Sequence, residues 1–417
     1  MSKSASLASI PIELIDEIAR YPPHGDLLAF CRVNRLVNSV CLRWIYRTVV
    51  LESSVLAVHC FRTLISNIQC AQAVRNLIID FCPETMLNAF SRILRAALRK
   101  LNSLESIDVS ASTDIFWAIS NIHLPRLRLC CIPFTSDIVP FLQLHPKLSG
   151  LALDPVPHNS VMQWTSMDPI LLPDLETFSG PEIVALSVIP WSPATHVAIF
   201  WDPRFRENSP ALFEAIARSG TKLTEIQNIL VTWEPSLLTA ITDNIPDVTS
   251  LTVRNVSPLH MPADMEAFFS CVDATIGSLR SLQVLSVVSM SGFPDALDPQ
   301  DLDREFQTVR RWGDVSSSLR CCVFPSETKW IRIRPQVWYP TNTIDSTPDM
   351  LMRFRWFVTT VITSTALPAE YLAALELIGG KDLVAALKGS FEREGVLSEF
   401  VLSERSTGIS VTIGASG

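Results

Sequence analysis

Nucleophilic catalysis needs a thiol, hydroxyl or amine held beside a base that is itself oriented. The seven histidines, at 24, 59, 123, 145, 158, 196 and 260, are scattered, with no H-x-x-x-H or H-E-x-x-H spacing to bring two imidazoles onto one helix face. His59 and Cys60 are adjacent, which in a strand points them to opposite faces. No G-x-S-x-G elbow occurs. Glycine is scarce, 14 of 417 residues, and Gly379-Gly380-Lys381 lacks the upstream Gly and the following Ser or Thr of a phosphate cradle. Helix capping explains that pair better. The acidic run Asp295, Asp298, Asp301, Asp303, Glu305 lacks the Gly and terminal Glu of a calcium loop, and Asp298 to Glu305 reads as a solvated N-terminal helical turn. These residues predict a chain that is not an enzyme and holds no cofactor or metal.

Composition narrows the partners. A net charge of −8 and a pI near 5.5 argue against a nucleic-acid surface, which needs clustered cations to displace counterions. Arg92, Arg95, Arg99 and Lys100 fall at helical spacing and read as a solvated face. With 48% hydrophobic residues, 18% charged and a mean hydropathy of +0.27, the chain is globular and rather apolar. Ten cysteines form no C-x-x-C pair and most lie in apolar runs, so they read as small buried hydrophobes in a reducing compartment. Met1 to Ser9 lacks a basic segment followed by an apolar one, and the apolar stretch Met350 to Leu367 is interrupted by Arg353 and Arg355. The expectation is a cytoplasmic and/or nuclear protein with neither a membrane nor a nucleic-acid partner.

The remaining chemistry is that of docking, and the first fifty residues carry its clearest pattern. Pro11 suits the first helical position and Glu13 faces the positive end of the helix dipole. Pro11, Leu14, Ile15 and Ile18 then recur as one apolar face. Tyr21-Pro22-Pro23-His24-Gly25 breaks this helix, and Asp26 is placed to cap a second carrying Leu27, Leu28, Phe30 and Cys31. Asn34 can cap a third, with Leu36, Val37, Val40, Cys41 and Trp44 at helical spacing.

Ile-Pro-Ile-Glu-Leu-Ile at 10–15, Asp26-Leu27-Leu28, Cys31-Arg32-Val33-Asn34-Arg35 and Trp44-Ile45-Tyr46-Arg47-Thr48-Val49 together resemble an F-box, with Ile10 in place of the usual leading Leu and a less typical Pro-rich first loop. The likeness covers about a tenth of the chain and lies in the order and spacing of four elements. It implies a three-helix module that presents Pro11, Ile12, Leu14, Ile15, Leu27, Leu28, Val33 and Trp44 to an SKP-type adaptor of a cullin complex, some as contacts and some as the core that positions them. The alternative reading is that the three helices simply cap a larger core. An F-box requires an exposed apolar face, and a cap does not.

Downstream, an L-x-x-L-x-L pattern returns at Val74-Leu77-Ile79, Leu104-Ile107-Val109, Leu124-Leu127-Leu129, Leu148-Leu151-Leu153, Ile183-Leu186-Val188, Val248-Leu251-Val253 and Leu282-Leu285-Val287. Weaker copies lie at Leu223-Ile226 and Leu319-Cys322-Phe324. The spacing drifts between roughly 20 and 40 residues, as in leucine-rich repeats whose units share one core by stacking. Helices are predicted over Pro83 to Arg99, Ser209 to Arg218 and Pro262 to Ile276 between them. The Asn or Cys that stitches regular repeats fits at Cys82, whereas Ser112, Ile132, Val156 and Met290 occupy the equivalent sites. The solenoid should therefore be irregular, with a plain α/β core as the alternative.

A helix through Phe306, Val309 and Trp312, followed by Ser318 to Pro325 and Lys329-Trp330-Ile331, resembles the last repeat of fungal F-box proteins with degenerate leucine-rich repeats. The alternative there is an ordinary helix and hairpin with a buried Trp. Trp164, Trp191, Trp201 and Trp233 read as core anchors, with a partner surface as the other option. The expected organisation is a tail over 1–9, an F-box over 10–51, an irregular leucine-rich-repeat-like solenoid over 52–340, a C-terminal cap region over 341–402 containing two helices between Pro368 and Glu394, and a frayed tail over 403–417 with Ile409 to Ile413 as an edge strand. The fold class is α/β. The resemblance implies a substrate-recognition subunit of an SKP–cullin–F-box ubiquitin ligase that holds an unknown client protein on its repeats, with the variable loops Asp154 to Asp168 and Pro190 to Pro210 as candidate client surface. A non-catalytic leucine-rich-repeat scaffold whose F-box-like segment is only a cap is the second expectation.

Overall fold

The computed structural model describes residues 10–83, 85–154, 167–202, 208–257, 262–290, 299–335, 337–342, 353, 356, 400–405 and 408–413. The chain is α/β and divides into two compact units, one of Met1–Phe200 with Arg218–Lys222 and the other of Trp201–Ala217 with Leu223–Gly417.

The first unit opens with α1 (Ile12–Arg20), α2 (His24–Phe30) and α3 (Arg35–Ile45). Strands and helices then alternate: β1 (Thr48–Leu51), α4 (Ser54–Ser66), α5 (Ile68–Ala73), β2 (Asn76–Ile79), α6 (Asn88–Leu98), β3 (Ser106–Asp108), α7 (Thr113–Ile119), β4 (Leu129–Pro133), α8 (Ile138–Leu144), β5 (Gly150–Asp154), β6 (Thr177–Pro181), α9 (Glu182–Val188) and β7 (His196–Phe200). The seven strands pair in parallel and in chain order.

One buried side chain at the centre of each strand sets the register. Val49, Leu77, Ile107, Cys130, Leu151, Phe178 and Val197 are direct partners from strand to strand, and all are buried. Because side chains alternate across a strand, fixing this column on the core face leaves the intervening residues on the other face. A second column, of main-chain carbonyls, runs just ahead of the strands. The Arg75 carbonyl accepts from the Glu105 and Ser106 N–H groups (2.8 and 2.9 Å), Glu105 from Arg128 and Leu129 (2.8 and 3.0 Å), and Arg128 from Ser149 and Gly150 (2.7 and 3.0 Å). Main-chain hydrogen bonds thus join the leading end of each strand to the next. Ser53, Asn67 and Ser112 cap α4, α5 and α7 by accepting from the Leu56, Gln69 and Ile115 N–H groups.

The second unit has α10 (Asn208–Ser219), β8 (Glu225–Leu230), α11 (Pro235–Asn244), β9 (Ser250–Asn255), α12 (Pro262–Thr275), β10 (Val284–Ser289), α13 (Pro299–Val315), β11 (Cys321–Val323), β12 (Thr328–Arg334) and β13 (Val337–Asn342). Strands β8 to β11 are parallel and carry the same buried column, Ile226, Leu251, Leu285 and Cys322. Strands β12 and β13 return antiparallel. Trp330 on β12 is fully buried, so this end is a helix followed by a final parallel strand and an antiparallel hairpin around a buried Trp. Strands β14 (Phe400–Arg405) and β15 (Gly408–Ile413) form a separate antiparallel pair, so Ile409 to Ile413 is a strand.

Several expectations are corrected. Leu124-Leu127-Leu129 is out of frame: the strand starts at Leu129, which is exposed, and the buried pair is Cys130 and Ile132. Ile183-Leu186-Val188 lies on helix α9, where Val184, Ala185 and Val188 are buried at helical spacing. The strands of that region are β6 and β7, centred on Phe178 and Val197. The helix predicted over Pro83 to Arg99 is the shorter α6. Cys82 is exposed. Glu305 is buried on α13 instead of solvated, because its carboxylate accepts the Trp330 Nε1–H at 2.9 Å. Trp201 and Trp233 are core residues, whereas Trp191 is half-exposed. Trp164, the tail 1–9, most of the loop Asp154 to Asp168, and the helices expected between Pro368 and Glu394 lie outside the described residues.

Candidate functional site

The three N-terminal helices follow from local signals. Pro11 stands at the N-cap of α1 with an extended backbone, one residue earlier than its expected place; Glu13 lies in the first turn and Arg20 in the last, each matched to the dipole. Helix α2 starts at His24, after Pro23, so Asp26 sits within its first turn and does not cap it. Asn34 caps α3, its Oδ1 accepting the Val37 N–H at 2.8 Å.

These helices pack on a small core of Ile15, Ala19, Leu27, Val37, Val40 and Cys41, with Ile10, Cys31, Trp44 and Ile45 partly buried against it. Asp16 ties α1 to α3. It accepts the Trp44 Nε1–H at 3.1 Å and lies 3.4 Å from the Arg43 guanidinium, while the Arg47 guanidinium stands 5.0 Å over the Trp44 ring. The Asp16–Arg43 pair is exposed enough to contribute only about 0–1 kcal/mol. Apolar burial, at about 1.5–3 kcal/mol for each large side chain, holds the module together. Helix α3 also packs on α5.

The eight residues singled out by sequence fall into three settings. Ile15 and Leu27 are core. Pro11, Leu14, Leu28 and Val33 are exposed, Leu14 at 55%, Leu28 at 49% and Val33 at 48%. Ile12 and the half-buried Trp44 line a cleft of about 520 Å3 together with Asp16, Arg47, Gln72 and Arg75. The apolar face of α1 is rotated from the sequence expectation: Ile15 and Ala19 point inward, and Leu14 and Ile18 share one outer flank a turn apart. Ile18, Tyr21, Phe30 and Leu36 are further exposed apolar residues of this segment. The signal for Ile18 was its i+4 relation to Leu14; nothing local distinguishes an inward from an outward leucine until a partner helix is packed.

Burial, with a contribution from Cys31, pushes the Cys41 thiol up to about 11, so it stays protonated at neutral pH. Elsewhere, His145 is buried with its Nδ1 2.8 Å from the Phe141 carbonyl and its Nε2 accepting the Leu124 N–H at 3.0 Å. Both ring nitrogens are thereby engaged in a neutral imidazole whose pKa burial lowers. His59 lies on helix α4, beside a Cys60 thiol that burial and Cys70 push upward. Among the described residues no three His, Cys, Asp or Glu side chains converge as a metal site, and no helix is long and apolar enough to cross a membrane.

No protein-family profile and no curated protein matches the chain. Among solved structures, the chain is similar to a crystal structure of a Bacteroides fragilis protein from structural genomics, with a TM-score of 0.39 and 12% identity over 67% of this chain and 74% of that one.

Proposed function

We propose that the chain is the substrate-recognition subunit of an SKP–cullin–F-box ubiquitin ligase, docking the SKP adaptor through α1–α3 and holding a client protein on an irregular leucine-rich-repeat solenoid. The observation that carries this reading is that a three-helix module with its own core leaves Leu14, Ile18, Leu28 and Val33 between 48% and 55% exposed. Large apolar side chains concentrated on one small module mark a surface that a partner covers, and such anchors supply most of an interface's affinity. The in-register parallel strands support the repeat body. In this reading transfer chemistry belongs to other subunits.

The second reading, a non-catalytic scaffold in which α1–α3 only cap the repeats, is favoured by the packing of α3 on α5. Co-purification with an SKP adaptor separates the two. Under conditions in which a known F-box protein retains it, the wild-type chain should retain it and Leu14→Asp should not, with an unchanged circular dichroism spectrum. Failure of the wild-type chain to retain the adaptor sinks the ligase reading. Unfolding of the whole chain by Leu14→Asp favours the cap.

A further inference from the structure

We infer that the leading edge of β4 and β5 is a docking cleft for an acidic segment of a partner protein that carries an apolar side chain among its carboxylates. The inference concerns the repeat body and stands whether or not α1–α3 engage an adaptor.

Repetition places the charges. Arg126 and Lys147 each lie two residues ahead of a carbonyl in the main-chain column, those of Arg128 and Ser149, and the Arg128 carbonyl itself accepts the Ser149 and Gly150 N–H groups at 2.7 and 3.0 Å. Equivalent positions on neighbouring strands are about 4.8 Å apart. Arg126 and Lys147 therefore stand side by side, with Arg128 as a third cation, around a cleft of about 440 Å3 that Glu105, Pro125 and Leu127 complete. Glu105 does not neutralise them, because it is paired with the Arg75 Nε at 3.3 Å. All three cations are exposed and have no ion pair among the described residues. In adjoining repeats the position of Arg126 and Lys147 is held by Ser103 and Asp174, so the charge is confined to this pair of turns.

An apolar shelf adjoins the cations. Leu129 is 49% exposed and leans across Gly150, where an added Cβ would come within 2.6 Å of Leu129 Cδ2. Glycine at 150 leaves room on β5 for the Leu129 side chain. Three like charges held together repel, and an anion relieves that repulsion, which makes the cleft selective for acidic groups on a chain whose net charge is −8. Three cations are too few for the long polyanion of a nucleic acid, and the exposed Leu129 suits an apolar side chain of a short acidic polypeptide.

The test is fluorescence anisotropy of labelled Glu-Glu-Leu-Glu-Glu with the full chain at low ionic strength. Binding should weaken with added salt and fall by about tenfold or more in Arg126→Glu/Arg128→Glu. The milder Arg126→Gln/Arg128→Gln guards against misfolding and should also weaken it. Arg92→Glu/Arg99→Glu, a reversal on and just after α6, should leave affinity unchanged, as should Leu14→Asp, which separates this cleft from the adaptor face. The inference is overturned if the wild-type chain does not bind the peptide, if the cleft variants bind as well as wild type, or if the α6 pair weakens binding equally. Tighter binding of oligothymidylate through the same residues would overturn it in favour of a nucleic-acid partner.

Discussion

Replacing Glu305 by Gln should remove a pH dependence from the stability of the second unit. Glu305 is buried on α13, and its Oε2 accepts the Trp330 Nε1–H at 2.9 Å. Burial pushes its pKa from 4.5 up to about 7, with Ser326, Trp330 and Arg353 pulling partly the other way. Below about pH 4.5 the carboxyl is protonated in both the folded and unfolded chain. Between that pH and about 7 the unfolded chain loses its proton first, so the folded state binds more protons and stability falls as pH rises. A displacement of this size corresponds to about 3 kcal/mol once pH has passed through the folded value, since each unit is worth about 1.4 kcal/mol. The side chain of Gln keeps the shape and an acceptor for Trp330 but does not titrate. Urea unfolding followed by tryptophan fluorescence at intervals from pH 5 to 8 should therefore show wild type losing stability relative to Glu305→Gln across this window, the difference levelling off above pH 7. Parallel pH profiles for the two proteins, or a wild type that gains stability relative to the variant, would refute the burial argument.

Two further outcomes test the face assignments. Leu251→Ala, in the fully buried column, should cost about 2–5 kcal/mol in urea unfolding, whereas Thr252→Ala on the opposite face of β9 should stay within about 0.5 kcal/mol. Asn34→Ala removes the 2.8 Å cap of α3 and should cost about 1 kcal/mol, read as earlier loss of helicity on thermal unfolding, with Asn34→Asp restoring most of it.

Local pattern was enough for the class and for much of the periodicity. The period-of-two burial at Leu77, Ile107, Leu151, Leu251 and Leu285 is written in the chain because alternate side chains must reach the same core. Asn34 and Glu13 likewise announce helix starts through groups that act within one turn. Tertiary structure decided what local pattern left degenerate. Leu124, Leu127, Leu129, Cys130 and Ile132 contain two overlapping apolar frames, and only hydrogen bonding to β3 and β5 selects the one with Leu129 outward. Ile183 to Val188 is apolar at both strand and helix spacing, and the neighbouring β6 and β7 leave it the helix. On α1, spacing supplied an amphipathic helix, but the packing of α3 turned Ile15 inward and Leu14 outward. Glu305 looked like a solvated carboxylate because its burial depends on Trp330, twenty-five residues further along the chain. The sequence alone determined helix caps and most of the periods, which depend on neighbours a few residues away; frame, face, burial and, where both spacings fit, the type of element depend on distant strands and helices, and were decided only when those were in place.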